Sequence, residues 1–408
     1  EEGSAPYIVI RKKRDSSYVD TMRADITEKF IRATHEVYQK RVAKGKFGGV
    51  MPGFFTDEPQ YYRWATPFSE IFPEEFEKRC GYSVYGMLPA LFLDVEGAEE
   101  FRYDYYLLCH TLFIRNFVRV IYEWCEQNGV RLTGHAVEES SLAGQMWSCG
   151  GVMPFYRYEH IPGIDYLGRG IGNTLAPKQL GSVCAQLGKK QAISEMFGCC
   201  GWDVTPKELK RIAELQYSCG VNLMCQHLYS YSIRGQRKRD YPCHYSEHTP
   251  WQRYLSEFDR YFNRLGAALS LGEEYAPVLV IHPVHSAYLH YKRQDESGVR
   301  ELDAALDRLV RTFAERQIPY HFGDETMMAE LALVKGGTIL VGRCEYSTVV
   351  LPDCETLDRT TAELLRDYMK NGGRLYCFGR LPDRIDGRRA DLSFLHSNMS
   401  FEALCGLS

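Results

Sequence analysis

The chain has 408 residues, 45% of them hydrophobic and 25% charged, with a formal net charge of -4. This is soluble globular composition, long enough for two or three domains, and its charge gives no footing for nucleic acid or an anionic membrane. No apolar run reaches membrane-spanning length, and 14 cysteines scattered without a CxxC frame argue for a reducing, cytoplasmic setting rather than a disulfide scaffold.

Residues 6–10 (PYIVI) predict a short buried strand, and residues 25–44 an amphipathic helix with Phe30, Ile31, Val37 and Tyr38 on its apolar side. An apolar run over residues 50–55 then stops abruptly at Asp57-Glu58-Pro59. A buried parallel strand looks like this when it delivers acids to the open end of a barrel, because proline forbids further sheet pairing where the side chains must emerge. Tyr61-Tyr62-Arg63-Trp64 forms an aromatic loop after it. Dense apolar content predicts a long helix over residues 101–127, closed by Asn128-Gly129.

Further strands are expected at residues 131–135, leading to Glu138-Glu139, and at 163–168, 191–198 and 221–229, with helices at 181–189 and 206–218 between them. Strand followed by helix, repeated this often, signals parallel β/α architecture. Six strands are countable before residue 230, whereas a closed barrel has eight. The basic stretch 231–248 follows the last of them, and residues 251–271 read as a helix. The composition then shifts at Gly272-Glu273. A second α/β pattern follows, with strands at 277–281, 319–322, 349–351 and 373–378 and helices at 298–316 and 356–370. It lacks a GxGxxG turn and a Walker lysine, so no nucleotide site is expected. From residue 381 the tail is short on pattern.

The expected fold is therefore α/β: a TIM-barrel-type (β/α)8 domain over residues 1–272, lacking its first strands, then a small flavodoxin-like, doubly wound domain over 273–408. Open barrel edges need covering, which raises the expectation of a homo-oligomer.

Chemistry concentrates at two strand ends. Glu58 and the Glu195 of QAISEMFG arrive from distant parts of the chain, and two such glutamates are what glycoside hydrolysis requires, one to protonate a leaving oxygen and one to act as base or nucleophile. His135, after Thr133-Gly134, is either a sugar contact or a satisfied core histidine. Asp57 and Asp165 are candidates to orient the site or bind sugar. Trp147, Trp202 and Tyr229 are candidates to stack on sugar faces, and Arg234 and Arg237 to meet a hydroxylated glycan. No GxSxG elbow marks a serine nucleophile.

The combination FFTDEP, TGH followed by acids, GIDYLG, SEMFG with a following GW, and YSIRGQRKRDYP resembles glycoside hydrolase family 106, the α-L-rhamnosidases. The resemblance spans nearly the whole chain but only a middle slice of the family's longer architecture. It implies an inverting hydrolase of plant or bacterial glycans with Glu58 and Glu195 as the catalytic pair, Glu58 provisionally the acid, and a calcium ion for which Glu138 and Glu139 are the nearest candidates. A retaining β-galactosidase-like enzyme and a non-catalytic carbohydrate-binding fragment remain as alternatives.

Overall fold

A computed structural model describes residues 9–43, 45–236 and 239–407. Of the strand expected at residues 6–10, positions 6–8 lie outside this set, and Val9 and Ile10 are exposed and unpaired with any strand. Arg237 and Lys44 also lie outside it.

The first helix is two: α1 (Ala24–Ala33) and α2 (His35–Arg41). The break falls at Thr34, whose hydroxyl donates to the Phe30 carbonyl at 2.6 Å, competing with the helix's own ladder. Strand β1 (Gly53–Asp57) begins three residues later than the apolar run suggested, leaving Val50 exposed. Glycine is needed at its start, because a Cβ at Gly53 would lie 2.1 Å from the Arg131 carbonyl oxygen on the neighbouring strand.

Helix α3 (Phe72–Cys80) and a 3-10 stretch (Val84–Leu91) lead into α4 (Ala98–Phe113), which runs through a π turn (Ile114–Val118) into α5 (Arg119–Gln127). This long rod matches the predicted helix. α4 is buried on nearly every side, so it shows no single apolar stripe and even Arg102, Asp104 and His110 lie inside.

Then come β2 (Arg131–His135), α6 (Leu142–Ser148), α7 (Met153–Arg157), β3 (Gly163–Tyr166) and α8 (Leu175–Leu187). β4 (Ile193–Met196), α9 (Pro206–Ser218), β5 (Leu223–Gln226) and α10 (Leu255–Leu271) complete the first half. α9 starts where expected because Thr205 and Glu208 cap it reciprocally. β1 pairs with β2, and β3 with β4 and β4 with β5, all parallel and in sequence order. β2 and β3 meet only at the isolated bridge Thr133 to Ile161. The result is an arc of barrel wall with a seam between β2 and β3.

The second half contains β6 (Val278–Ile281), α11 (Val284–His290), α12 (Ser297–Glu315), β7 (Tyr320–Gly323) and α13 (Glu325–Leu331). An antiparallel meander follows, β8 (Ala332–Lys335), β9 (Thr338–Val341) and β10 (Cys344–Tyr346), which the sequence pattern did not disclose. β11 (Thr348–Leu351), β12 (Thr356–Leu357), α14 (Arg359–Lys370) and β13 (Arg374–Cys377) come next. Residues 356–357, expected to open the helix, instead pair with β14 (Arg384–Ile385), itself paired with β15 (Arg388–Arg389). The tail carries α15 (Phe401–Cys405), capped by Ser400.

β13, β11, β6 and β7 lie side by side as a parallel sheet, with the crossover between β6 and β11 that marks doubly wound topology. This sheet is bound tightly to the barrel wall. The Gln186 side chain on α8 donates to the Phe322 carbonyl at 2.8 Å, the Phe322 N–H donates to Ser182 at 2.9 Å, and Tyr288 on α11 donates to the Gly150 carbonyl at 2.9 Å. Among the described residues no helix is long and apolar enough to cross a membrane.

Candidate active site

The carboxyl ends of β1 to β4 deliver Asp57, His135, Asp165 and Glu195 to one place. The register sets this directly: Asp57 is opposite His135 across β1 and β2, and Asp165 opposite Glu195 across β3 and β4. Just beyond the strands the backbone is strained. Glu58, Glu138, Phe197 and Cys199 all take positive φ (50°, 59°, 78° and 61°), a conformation that is costly for residues with a side chain and clusters at functional sites.

His135 is the hub. It is buried, with its ring packed edge-on against Phe55 at 5.5 Å. Its Nδ1 faces the Ala136 carbonyl at 2.9 Å, and its Nε2 lies 2.8 Å from Glu195 Oε2 and 3.6 Å from Asp57 Oδ1. Burial is the largest influence on the ring and disfavours its charge. The hydrogen bond to Glu195 and the fields of Glu139 and Asp165 overcome it and raise the pKa to about 10. Both ring nitrogens therefore donate. In return, the His135 hydrogen bond holds the Glu195 carboxyl below its ordinary range against the opposing effect of burial. Glu195 Oε1 remains on the open side, 3.7 Å from His227 Nε2.

Two other acids behave oppositely. Glu58 is raised by burial, with Arg63 at 3.8 Å moderating the shift and Asp57 reinforcing it. Asp165 is raised by burial to about 8, its charge eased by His135 but opposed by Glu139, Glu195 and Glu58. One oxygen of Asp165 is buried without a protein partner. The site thus holds one carboxyl with lowered proton affinity beside two whose affinity is raised.

The expectation that Glu139 ligates a metal is corrected by its surroundings. Both of its oxygens are taken by protein donors: the Ala136 N–H at 3.3 Å and Tyr156 hydroxyl at 2.7 Å on Oε1, the Asp165 N–H at 2.8 Å on Oε2. Glu138 is exposed on the turn beside it. Calcium seeks about six to eight oxygen ligands. Asp57, with a side chain 78% exposed, and Asp165, with its unpartnered oxygen, offer such donors, while His135 Nε2 is already spent on Glu195. Among the described residues, the ligand atoms in the site that lie within 4.8 Å of one another are those of Asp57, His135 and Glu195.

Trp202 is half-exposed and stacks on His244 at 5.0 Å, in the segment after β5. Tyr229 and Arg234 are exposed, and none of the contacts above involves them. His227 was not expected in the site, and Arg63 only as part of the aromatic loop. Arg63 sits over Trp64 at 4.7 Å and Trp147 at 5.5 Å, so the aromatic loop serves to hold a cation near Glu58. His227 directly follows β5, much as His135 closes β2, a parallel that the sequence did carry.

The profile of a family described as alpha-L-rhamnosidase matches residues 14–397. The chain belongs to glycoside hydrolase family 106. Among solved structures, the rhamnosidase from Novosphingobium sp. PP1Y superposes with a TM-score of 0.67 at 18% identity, covering 90% of this chain and 35% of that one. A beta-galactosidase from the haloarchaeon Halorubrum lacusprofundi gives 0.63 at 12% identity, covering 97% of this chain and 61% of that one. These likenesses show the fold, that of barrel glycosidases. A curated protein of Formosa agariphila, which carries the name beta-glucuronidase as a provisional assignment, is 23% identical over 315 residues, 74% of this chain and 25% of that protein. The family 106 chain thus spans about a quarter to a third of these two longer relatives.

Proposed function

We propose that this family 106 chain carries the catalytic centre of an inverting α-L-rhamnosidase-like hydrolase, with Glu58 as general acid and Glu195 as general base. What carries this assignment is the placement of two glutamates at the ends of β1 and β4 with opposed shifts in proton affinity, Glu58 raised by burial and Glu195 lowered by its His135 hydrogen bond. Glu195 Oε1 accepts a proton from water as the water oxygen attacks the anomeric carbon. The glycosidic bond breaks, and its oxygen takes the proton from Glu58. His135 keeps Glu195 ionised beforehand and fixes which of its oxygens faces the water. Arg63 limits how far burial raises Glu58, so that the acid is able to release its proton. Asp57 and Asp165 would hold a calcium ion, which when bound fixes sugar hydroxyls electrostatically.

The test is hydrolysis of aryl α-L-rhamnosides and aryl β-D-galactosides by the wild type, Glu58→Gln and Glu195→Gln, with the anomer released first followed by proton NMR. Rhamnoside cleavage with inverted configuration, lost in both variants, is the expected result.

One observation favours a retaining mechanism instead: carboxylate oxygens of Asp57 and Glu195 lie within 4.8 Å of each other. Retaining pairs stand about 5–5.5 Å apart and inverting pairs about 6.5–9.5 Å. A retained anomer, with Asp57→Asn as damaging as Glu195→Gln, would establish that pair and displace Glu58.

A further inference from the structure

The seam between β2 and β3 is closed by side chains. At its amino end the Leu132 N–H donates to His160 Nδ1 and the His160 N–H to the Leu132 carbonyl, each at 2.9 Å, while the Thr133 hydroxyl donates to the Ile161 carbonyl at 2.7 Å. At its carboxyl end, where the site lies, the Glu139 carboxylate is wedged across the gap. It receives the N–H of Ala136, directly after His135, and the N–H of Asp165 on β3. The Tyr156 hydroxyl from α7 adds a third donor. The Glu139 main chain is pinned as well, since its carbonyl accepts from Gln145 on α6 at 3.2 Å and Gln179 on α8 at 3.1 Å. The two glutamines also bond each other at 3.0 Å. Glu139 itself is buried and touches no open part of the site.

We propose that Glu139 is a positioning residue that splices β2 to β3 at the rim of the barrel wall, setting the placement of His135 and Asp165 and, through His135, of Glu195. This inference rests on the functional assignment above for its kinetic consequence but not for its structural one. Ordinary ladder bonds would serve a wall equally well for stability. A carboxylate bridge instead ties together the two strand ends that carry the hub and its neighbour. A displacement of about 1 Å in such groups can cost about 10²-fold in rate.

Glu139→Gln tests this, because the amide keeps the volume but turns one oxygen acceptor into a donor that meets another donor. Amide signals of Ala136 and Asp165 are expected to move upfield as their bonds to the Glu139 carboxyl oxygens are weakened or lost. Turnover of an aryl α-L-rhamnoside per folded molecule is expected to fall about 10- to 100-fold, with KM within about threefold and a melting temperature lowered by the buried donor left facing a donor. Glu139→Asp, one methylene short of the span, should not restore turnover. Unchanged kcat in Glu139→Gln would overturn the proposal, as would a loss in KM alone. If Glu139→Gln does not fold, Tyr156→Phe, which keeps the carboxylate and drops one donor, must show the same pattern in smaller degree, and a wild-type kcat there would overturn it. If the wild type cleaves no glycoside at all, the functional assignment falls separately. The amide shifts of Ala136 and Asp165 in Glu139→Gln then decide the splice on their own.

Discussion

Asp165 and Glu195 stand opposite each other in register on β3 and β4, yet they hold their protons in opposite senses. Burial raises Asp165, and on Glu195 the same effect is outweighed by one neighbour. His135 donates its Nε2 hydrogen to Glu195, while Asp165 receives no such donor at its buried oxygen. The charges of Glu139 and Glu195 add smaller pushes to the burial that keeps the proton on Asp165.

Activity should therefore follow a bell in pH. Glu195 must be ionised, and its depressed pKa puts the acid limb of kcat/KM below the ordinary glutamate value. Glu58 must be protonated, and its raised pKa puts the basic limb above that value. His135→Asn removes the donor that depresses Glu195, so the acid limb should move to higher pH in that variant. A limb that stays in place would show that His135 does not set the base.

The acid assignment has its own signature. Protonation matters most when the leaving group is poor, so Glu58→Gln should lose about 10²–10⁴-fold on alkyl or glycan substrates. It should lose far less on a dinitrophenyl glycoside, whose departure needs no acid. Glu195→Gln should lose a similar factor on both. Equal losses for Glu58→Gln on the two leaving groups would remove it from the acid role.

Calcium, if held by Asp57 and Asp165, must displace the proton that burial keeps on Asp165 up to about pH 8. Binding should then release protons at pH 7, with a net proton count visible as a buffer-dependent enthalpy in titration calorimetry. Affinity should rise between pH 6 and 8, and a chelator should depress turnover. Asp165→Asn should abolish the proton release. Calcium uptake with no linked proton would place the ion elsewhere.

Much of the fold and part of the site were legible in the sequence. Glu58 and Glu195 stood out because an apolar strand that ends in an acid is a pattern of period and position, which a linear chain preserves. Glu138 and Glu139 could not be told apart in this way. What separates them is the left-handed turn at Glu138 and donors from Ala136, Tyr156 and Asp165, the last 26 residues downstream. His135 looked equally like core and like site, and it is both, buried and bonded to Glu195. Helix α11 went unrecognised for a related reason: it is buried all round, so it carries no amphipathic stripe.

The second sheet carries its own buried charge, and its stability should reveal it. His285 on α11 and Asp358 before α14 lie 2.7 Å apart, Tyr103 from α4 donates to the same Asp358 oxygen at 2.7 Å, and Glu325 stands 3.8 Å from the ring. Burial lowers the proton affinity of His285, but Asp358 outweighs it and raises the pKa to about 9. Its folded value then exceeds its unfolded one, so the stabilisation is complete below about pH 6.5 and is lost as pH rises through about 9. Urea midpoints of the wild type should accordingly fall between pH 7 and 9. His285→Gln should flatten that slope while lowering the midpoint at pH 6. Asp358→Asn should be worse than His285→Gln, by up to about 3–5 kcal/mol, because it leaves a buried cation without its nearest partner. Both variants disturb the buried cluster between α4 and the sheet without touching Glu58 or Glu195, so any glycosidase activity per folded molecule should persist. A wild-type midpoint independent of pH over this window would mean that His285 is neutral, and Tyr103 and Asp358 would then be joined by an ordinary hydrogen bond alone.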